Sequence, residues 1–85
     1  MPEVKAVQGI LLREQDGEAF LLHVDSGRFF GLNPTGLVVW NALSAGQDPH
    51  EAVAARWLEI DAETRRRDVD ALVAALLRAG LATTT

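Results

Sequence analysis

Two Asx-Pro pairs, Asn33-Pro34 and Asp48-Pro49, constrain this chain more tightly than any other feature. Proline holds φ near its helical value and has no N–H to donate, so after Asn or Asp it marks the first residue of a helix. Before Asn33 the apolar residues come in short runs broken by Asp-Gly and Ser-Gly, which is strand and turn chemistry. Beyond Asn33 they recur at helical spacing. The chain therefore reads as extended first and helical after, an α+β protein.

In the extended part, residues 7–12 are apolar enough for a buried strand and Asp16-Gly17 is a tight turn. Ala19-Phe20-Leu21-Leu22-His23-Val24 returns as its partner. Asp25-Ser26-Gly27 makes a second turn into Arg28-Phe29-Phe30-Gly31-Leu32. The expectation is a three-stranded antiparallel sheet. Alternation places Phe30 and Leu32 on one face with Arg28, and Phe29 on the other. Phe30 and Leu32 are assigned to the core.

Three helices are expected to follow. The first spans about 34–44, capped by Asn33 and ended by Gly46. In the second, Asp48 is the cap and Glu51, three residues on, completes a capping-box pattern; the helix runs to about Leu58. Asp61 caps the third, in which Val69, Leu72, Val73, Leu76 and Leu77 follow the i, i+3, i+4, i+7 spacing of a buried face up to Gly80. Leu81 is expected to fold back on the core. Ala82-Thr83-Thr84-Thr85 has nothing to bury and should fray.

A chain of 85 residues buries only about 60% of its unfolded surface and cannot divide its core in two. One domain over 1–85 is expected, ordered over about 5–82. There is no Cys, hence neither a disulfide framework nor a thiolate for zinc binding or nucleophilic attack. The start, Met1-Pro2-Glu3-Val4-Lys5, does not follow the basic-then-apolar order of a secretory signal, and no apolar run approaches the ~20 residues of a membrane span. A cytoplasmic protein without membrane contact is the expectation. The net charge of -4 also opposes nucleic-acid binding, whose sequence-independent part comes from clustered Lys and Arg releasing counterions.

The string Gly27-Arg28-Phe29-Phe30-Gly31-Leu32-Asn33-Pro34-Thr35-Gly36, followed by Val39-Trp40-Asn41-Ala42-Leu43 and closed by Arg78-Ala79-Gly80-Leu81, resembles the PqqD-like family. Members share an aromatic strand running into Leu-Asn-x-Thr-Gly, an Ile/Val-Trp pair on the first helix, and a final helix ending in Gly-Leu. The resemblance covers about residues 7–81. Pro34 stands where many relatives have an acidic or polar residue, and it keeps the helix start intact.

The resemblance implies a winged-helix-like domain that recognises the leader of a ribosomally made precursor peptide, a RiPP recognition element. A short chain with no cofactor motif is most similar to the lasso-peptide branch. There the leader-binding protein works beside a separate cysteine-protease-type leader peptidase and a cyclase. No cofactor and no catalytic role are implied.

The resemblance also places the leader as an added strand along Arg28 to Leu32, in the groove before the third helix. Four or five main-chain hydrogen bonds at about 0.5 to 1.5 kcal/mol each do not cover the entropy of association. Sub-micromolar binding therefore needs two or three apolar anchors at about 1.5 to 3 kcal/mol each. The candidates are Val24, Arg28, Phe29, Phe30, Gly31 and Leu32 on the sheet, with Arg66, Val69, Asp70, Val73, Leu76 and Leu77 on the helix. Arg66, Asp68 and Asp70 would set register and polarity more than affinity. The ordinary reading of all these apolar residues, on sheet and helix alike, is core, and the pattern by itself does not divide wall from core.

Other residues read structurally. Arg65-Arg66-Arg67, placed in a first helical turn, opposes the helix dipole and could serve a partner, or is simply a solvated face. His23 and His50 lack the paired spacing of metal ligands, and Asp25-Ser26 beside His23 has no nucleophile elbow around it. Trp40 and Trp57 are packing residues. Two rivals remain. A winged-helix DNA binder would use the arginines, yet Asp61, Glu63, Asp68 and Asp70 surround them. A structural subunit of an enzyme partner would need no ligand at all.

Overall fold

The computed structural model describes residues 3–16 and 18–84. Strands β1 (Val4–Ala6), β2 (Ile10–Gln15), β3 (Glu18–His23) and β4 (Arg28–Leu32) precede helices α1 (Pro34–Ser44), α2 (Pro49–Arg56) and α3 (Ala62–Arg78), and β5 (Ala82–Thr84) closes the chain. The architecture is α+β, with the expected three-stranded antiparallel sheet in the order β2-β3-β4. A two-stranded sheet of β1 and β5 is added to it.

That second sheet corrects two expectations. Residues 7–12 are not one strand, because Gly9 adopts φ +81° and turns the chain between β1 and β2. A left-handed glycine needs no Cβ accommodation, so the break is cheap there. The tail does not fray either. It pairs antiparallel with the first strand, Val4 opposite Thr84 and Ala6 opposite Ala82, and Ala82 is buried. Thr85 lies outside the described residues.

The end of α3 makes this pairing possible. Gly80 at φ +77° follows the helix, Leu81 N–H donates to Leu76 O at 2.9 Å, and Gly80 N–H donates to Leu77 O at 3.2 Å. These two bonds form a Schellman cap, which turns the chain sharply and satisfies the last carbonyls. Leu81 is thereby buried against the core, as expected, and its carbonyl accepts from Val7 N–H at 3.0 Å. The same device ends α1, where Gly46 N–H bonds Leu43 O and Gln47 N–H bonds Ala42 O.

The helix starts lie where the sequence puts them, although Asp48 caps through His50 N–H and the capping box expected with Glu51 is not closed among the described residues. Asn33 Oδ1 accepts from Gly36 N–H at 2.7 Å, and Asp48 Oδ1 accepts from His50 N–H at 2.9 Å. A Cβ on Gly36 would stand 3.1 Å from Leu32 Cδ2 and 3.2 Å from Asn33 Oδ1, so the cap and the buried Leu32 leave little room for a larger residue there. The second helix stops at Arg56, short of Leu58. Trp57 leaves helical geometry with φ -128° and ψ 89°, packs partly on the core, and holds the Arg56 guanidinium 5.9 Å from its ring centroid. Leu58 is 84% exposed, so continuing the helix would bury nothing more.

Asp61 caps α3 through Glu63 N–H, Thr64 N–H and the Thr64 hydroxyl, the last at 2.6 Å. Thr64's hydroxyl is the main cause that holds its carboxyl below the usual aspartate value; desolvation opposes it, and the Thr64 and Glu63 amides and the Arg67 charge add to the lowering. The arginine run is less unfavourable than expected. The first turn carries Glu63, and Arg65 Nη1 turns back to donate to Ile60 O at 3.2 Å.

One connected core joins the two sheets and the helices. Leu21 on β3, Val39 on α1, Val53 on α2, and Val69 and Leu76 on α3 are its most enclosed side chains. Trp40 is buried among them. Among the described residues, no helix is long and apolar enough to cross a membrane.

Candidate functional site

The site is built around β4, whose inner edge pairs with β3 in continuous register, Arg28 opposite His23 through Leu32 opposite Ala19. Its turn is fixed locally. Gly27 at φ +72° donates to His23 O at 2.8 Å, Ser26 N–H donates to His23 Nδ1, and Arg28 N–H donates to Ser26 Oγ. An acceptor Nδ1 leaves the proton of a neutral His23 on Nε2. The His23-Ser26 pair is thus turn chemistry. At the other hairpin Asp16 sits at φ 53°, and the Gly17 half of that turn lies outside the described residues.

Among the described residues, the outer edge of β4 has no strand beside it. α3 packs on α1, α2 and β5, and among the described residues none of its Cα atoms comes within 8 Å of β4. A strand needs about 4.8 Å of lateral spacing, so an extended segment can pair with β4 before meeting the helix. The edge carries no proline and no bulge, and its one charged residue is Arg28. Edges left this bare are templates for a further strand.

Side chains leave β4 as the alternation required. Leu32 is buried, Phe30 is half-buried against the core, and Phe29 on the opposite face is 72% exposed. Arg28 and Gly31 are exposed. Val24 lies just beyond β3, one strand in from the free edge, and its N–H donates to Gly9 O at 3.1 Å.

The helix candidates separate into groups. Val69 and Leu76 are fully buried, so they are core and offer no side-chain surface. Val73 and Leu77 are half-buried, as is Leu72, which the spacing marked only as a buried-face residue. Asp70 pairs with His50 Nε2 at 2.9 Å, and Arg66 lines the same hollow between α2 and α3. Val73 and Asp70 also line a cleft of about 560 Å³ with Val4, Leu43 and Pro49. Asp70 and Val73 therefore meet on the flank of α3 turned toward α2 and β1.

One surface went unread in the sequence. On the sheet face opposite the helices, Leu11, Leu22 and Phe29 stand directly across from one another on β2, β3 and β4. Phe20 occupies the next row, beside Arg13 and Gly31. Of the five large apolar side chains that are exposed among the described residues, Leu11, Phe20 and Phe29 belong to this sheet, Val24 follows β3 directly and Leu58 lies elsewhere. The signal was present in the alternation of Phe20 and Leu22 with Leu21, had both faces of the strand been read.

Comparison with known proteins adds three findings. The profile of the family described as Coenzyme PQQ synthesis protein D (PqqD) matches residues 18–82. A solved structure described as TbiB1 in complex with the TbiA(beta) leader peptide superposes with a TM-score of 0.79 at 28% identity, covering 92% of this chain and 93% of that one. Another, lasso peptide synthetase B1 complexed with the leader peptide, gives 0.81 at 26% identity over 95% and 98% of the two chains. No curated protein gave a significant match.

Proposed function

The chain belongs to the PqqD family, and on that premise we propose that it binds the leader of a ribosomally made precursor peptide as a strand added to β4, in lasso-peptide biosynthesis. The open β4 edge, with α3 standing off beyond 8 Å, is the observation that carries this reading. Two structures of closely similar shape, each described with its leader peptide bound, support it.

Main-chain groups of Arg28–Leu32 supply the pairing. Phe30 stands behind the strand and Phe29 beside it, while Leu77 is the helix residue of the candidate set with apolar surface left to offer off the α2 flank, to which Val73 is turned. Leu32, Val69 and Leu76 support from the core. Arg66 and Asp70 sit on the α2 flank and set polarity at most.

The protein is non-catalytic in this reading and hands its cargo to a separate leader peptidase of the cysteine-protease type, in the cytoplasm. Delivery needs a second surface that leaves β4 free. The outer sheet face, with exposed Leu11, Phe20 and Phe29 around the half-buried Leu22, supports such a contact, since monomers rarely expose contiguous apolar patches without a partner for them.

Titration with the synthetic leader encoded beside this chain tests the reading. Sub-micromolar binding, with amide shifts concentrated in Arg28–Leu32 and α3, is expected. No binding below millimolar leader would overturn it.

A further inference from the structure

We infer that, without leader, β4 pairs antiparallel with β4 of a second copy of this chain, and that the leader opens this dimer by taking the same edge. The regulatory half rests on the leader-binding reading above. The pairing half rests on β4 alone.

Antiparallel pairing about a two-fold axis at Phe30 sets Arg28 opposite the partner's Leu32, Phe29 opposite its Gly31, and Phe30 opposite its own mate. Residues directly opposite share a face. On the outer face Phe29, 72% exposed, then lies over a glycine. At that glycine a Cβ position would meet Cδ1 and Cε1 of the Phe20 ring, both at 3.9 Å. A large side chain thus meets an open place with an aromatic edge beside it, twice by symmetry. The register also keeps the single charge of β4 off its own copy, because Arg28 faces a leucine. No proline or bulge blocks the approach, and the one charge, Arg28 on the core-side face, stands at the first position of the strand.

The two sheets become one six-stranded sheet in which Leu11, Leu22 and Phe29 of one copy continue into Gly31 and Phe20 of the other. Each leader bound then has to displace a strand, so the apparent leader affinity falls as protein concentration rises.

Sedimentation velocity on the full chain from micromolar to millimolar concentration, with and without saturating leader, tests this, with leader binding followed separately by anisotropy. A dimer that leader converts to a one-to-one complex is expected, as is slowed exchange of the β4 amides not already bonded to β3. Phe20→Ala should raise the dimer dissociation constant about tenfold through the two lost ring contacts. A chain monomeric throughout, or a dimer unaffected by leader that demonstrably binds, overturns the inference. A dimer with protected β4 amides alongside flat anisotropy would support the pairing and sink the leader reading instead.

Discussion

The Phe20 ring covers Gly31 on the neighbouring strand, with Cδ1 and Cε1 each 3.9 Å from the position a Cβ would take. A glycine inside a strand weakens it, and a ring laid across the gap restores part of the lost packing. The contact fixes how β4 presents itself, since it flanks the open edge with an apolar outer face.

Gly31→Ala follows from that distance. Its Cβ enters ordinary van der Waals contact, and the unfolded chain loses freedom, so the variant should be more stable by about 0.5 to 1 kcal/mol in urea denaturation. A destabilised variant would mean that β4 uses a backbone conformation only glycine accepts.

Phe29→Ala and Leu76→Ala should part company. Phe29 is largely exposed and its removal should leave stability within about 0.5 kcal/mol, while leader affinity falls roughly fivefold for the lost flank contact. Leu76 is fully buried, and Leu76→Ala should cost about 2 to 5 kcal/mol through the cavity left behind. Denaturation and anisotropy on the two variants decide this.

Leu11→Glu places a charge on the outer sheet face at the strand farthest from β4. Leader affinity should persist and the rate of leader removal by the peptidase should drop, about tenfold for one desolvated charge at an apolar contact. Equal cleavage rates would remove this face from the delivery step.

Ending the chain at Leu81 removes β5, the buried Ala82 and the ladder to β1. A loss of about 2 kcal/mol is expected, from a few ladder hydrogen bonds and one small buried side chain. A tail that merely frayed would cost nothing measurable in the same denaturation experiment.

Asp61 has a lowered carboxyl pKa, chiefly because Thr64's hydroxyl donates to it. A carboxylate with a depressed folded pKa contributes stability that is present above its unfolded value, about 3.9, and is lost as pH falls through the folded one. Asp61→Asn can cap but cannot titrate. The stability advantage of the wild type over this variant should therefore shrink on acidification below about pH 4, and a gap independent of pH would contradict the cap.

Where a signal was local, it was legible. Asn33, Asp48 and Asp61 bond amides two or three residues on, and Gly46 and Gly80 close helices through carbonyls a turn back. The β4 boundaries and the facing of Phe29 against Phe30 also followed from alternation alone. Gly9 was overlooked because an apolar run surrounds it.

The antiparallel run of β2, β3 and β4, the helix caps and the facing of the aromatics on β4 were settled by the sequence, because each depends on dihedral preference and side-chain period within a few residues. Tertiary structure alone decided the rest. The β1–β5 ladder joins opposite ends of the chain, which no local pattern encodes. Val69 and Leu76 became core while Asp70 and Val73 turned to the α2 flank, because an apolar stripe defines a helix face and only packing against neighbours divides that face into interior and wall.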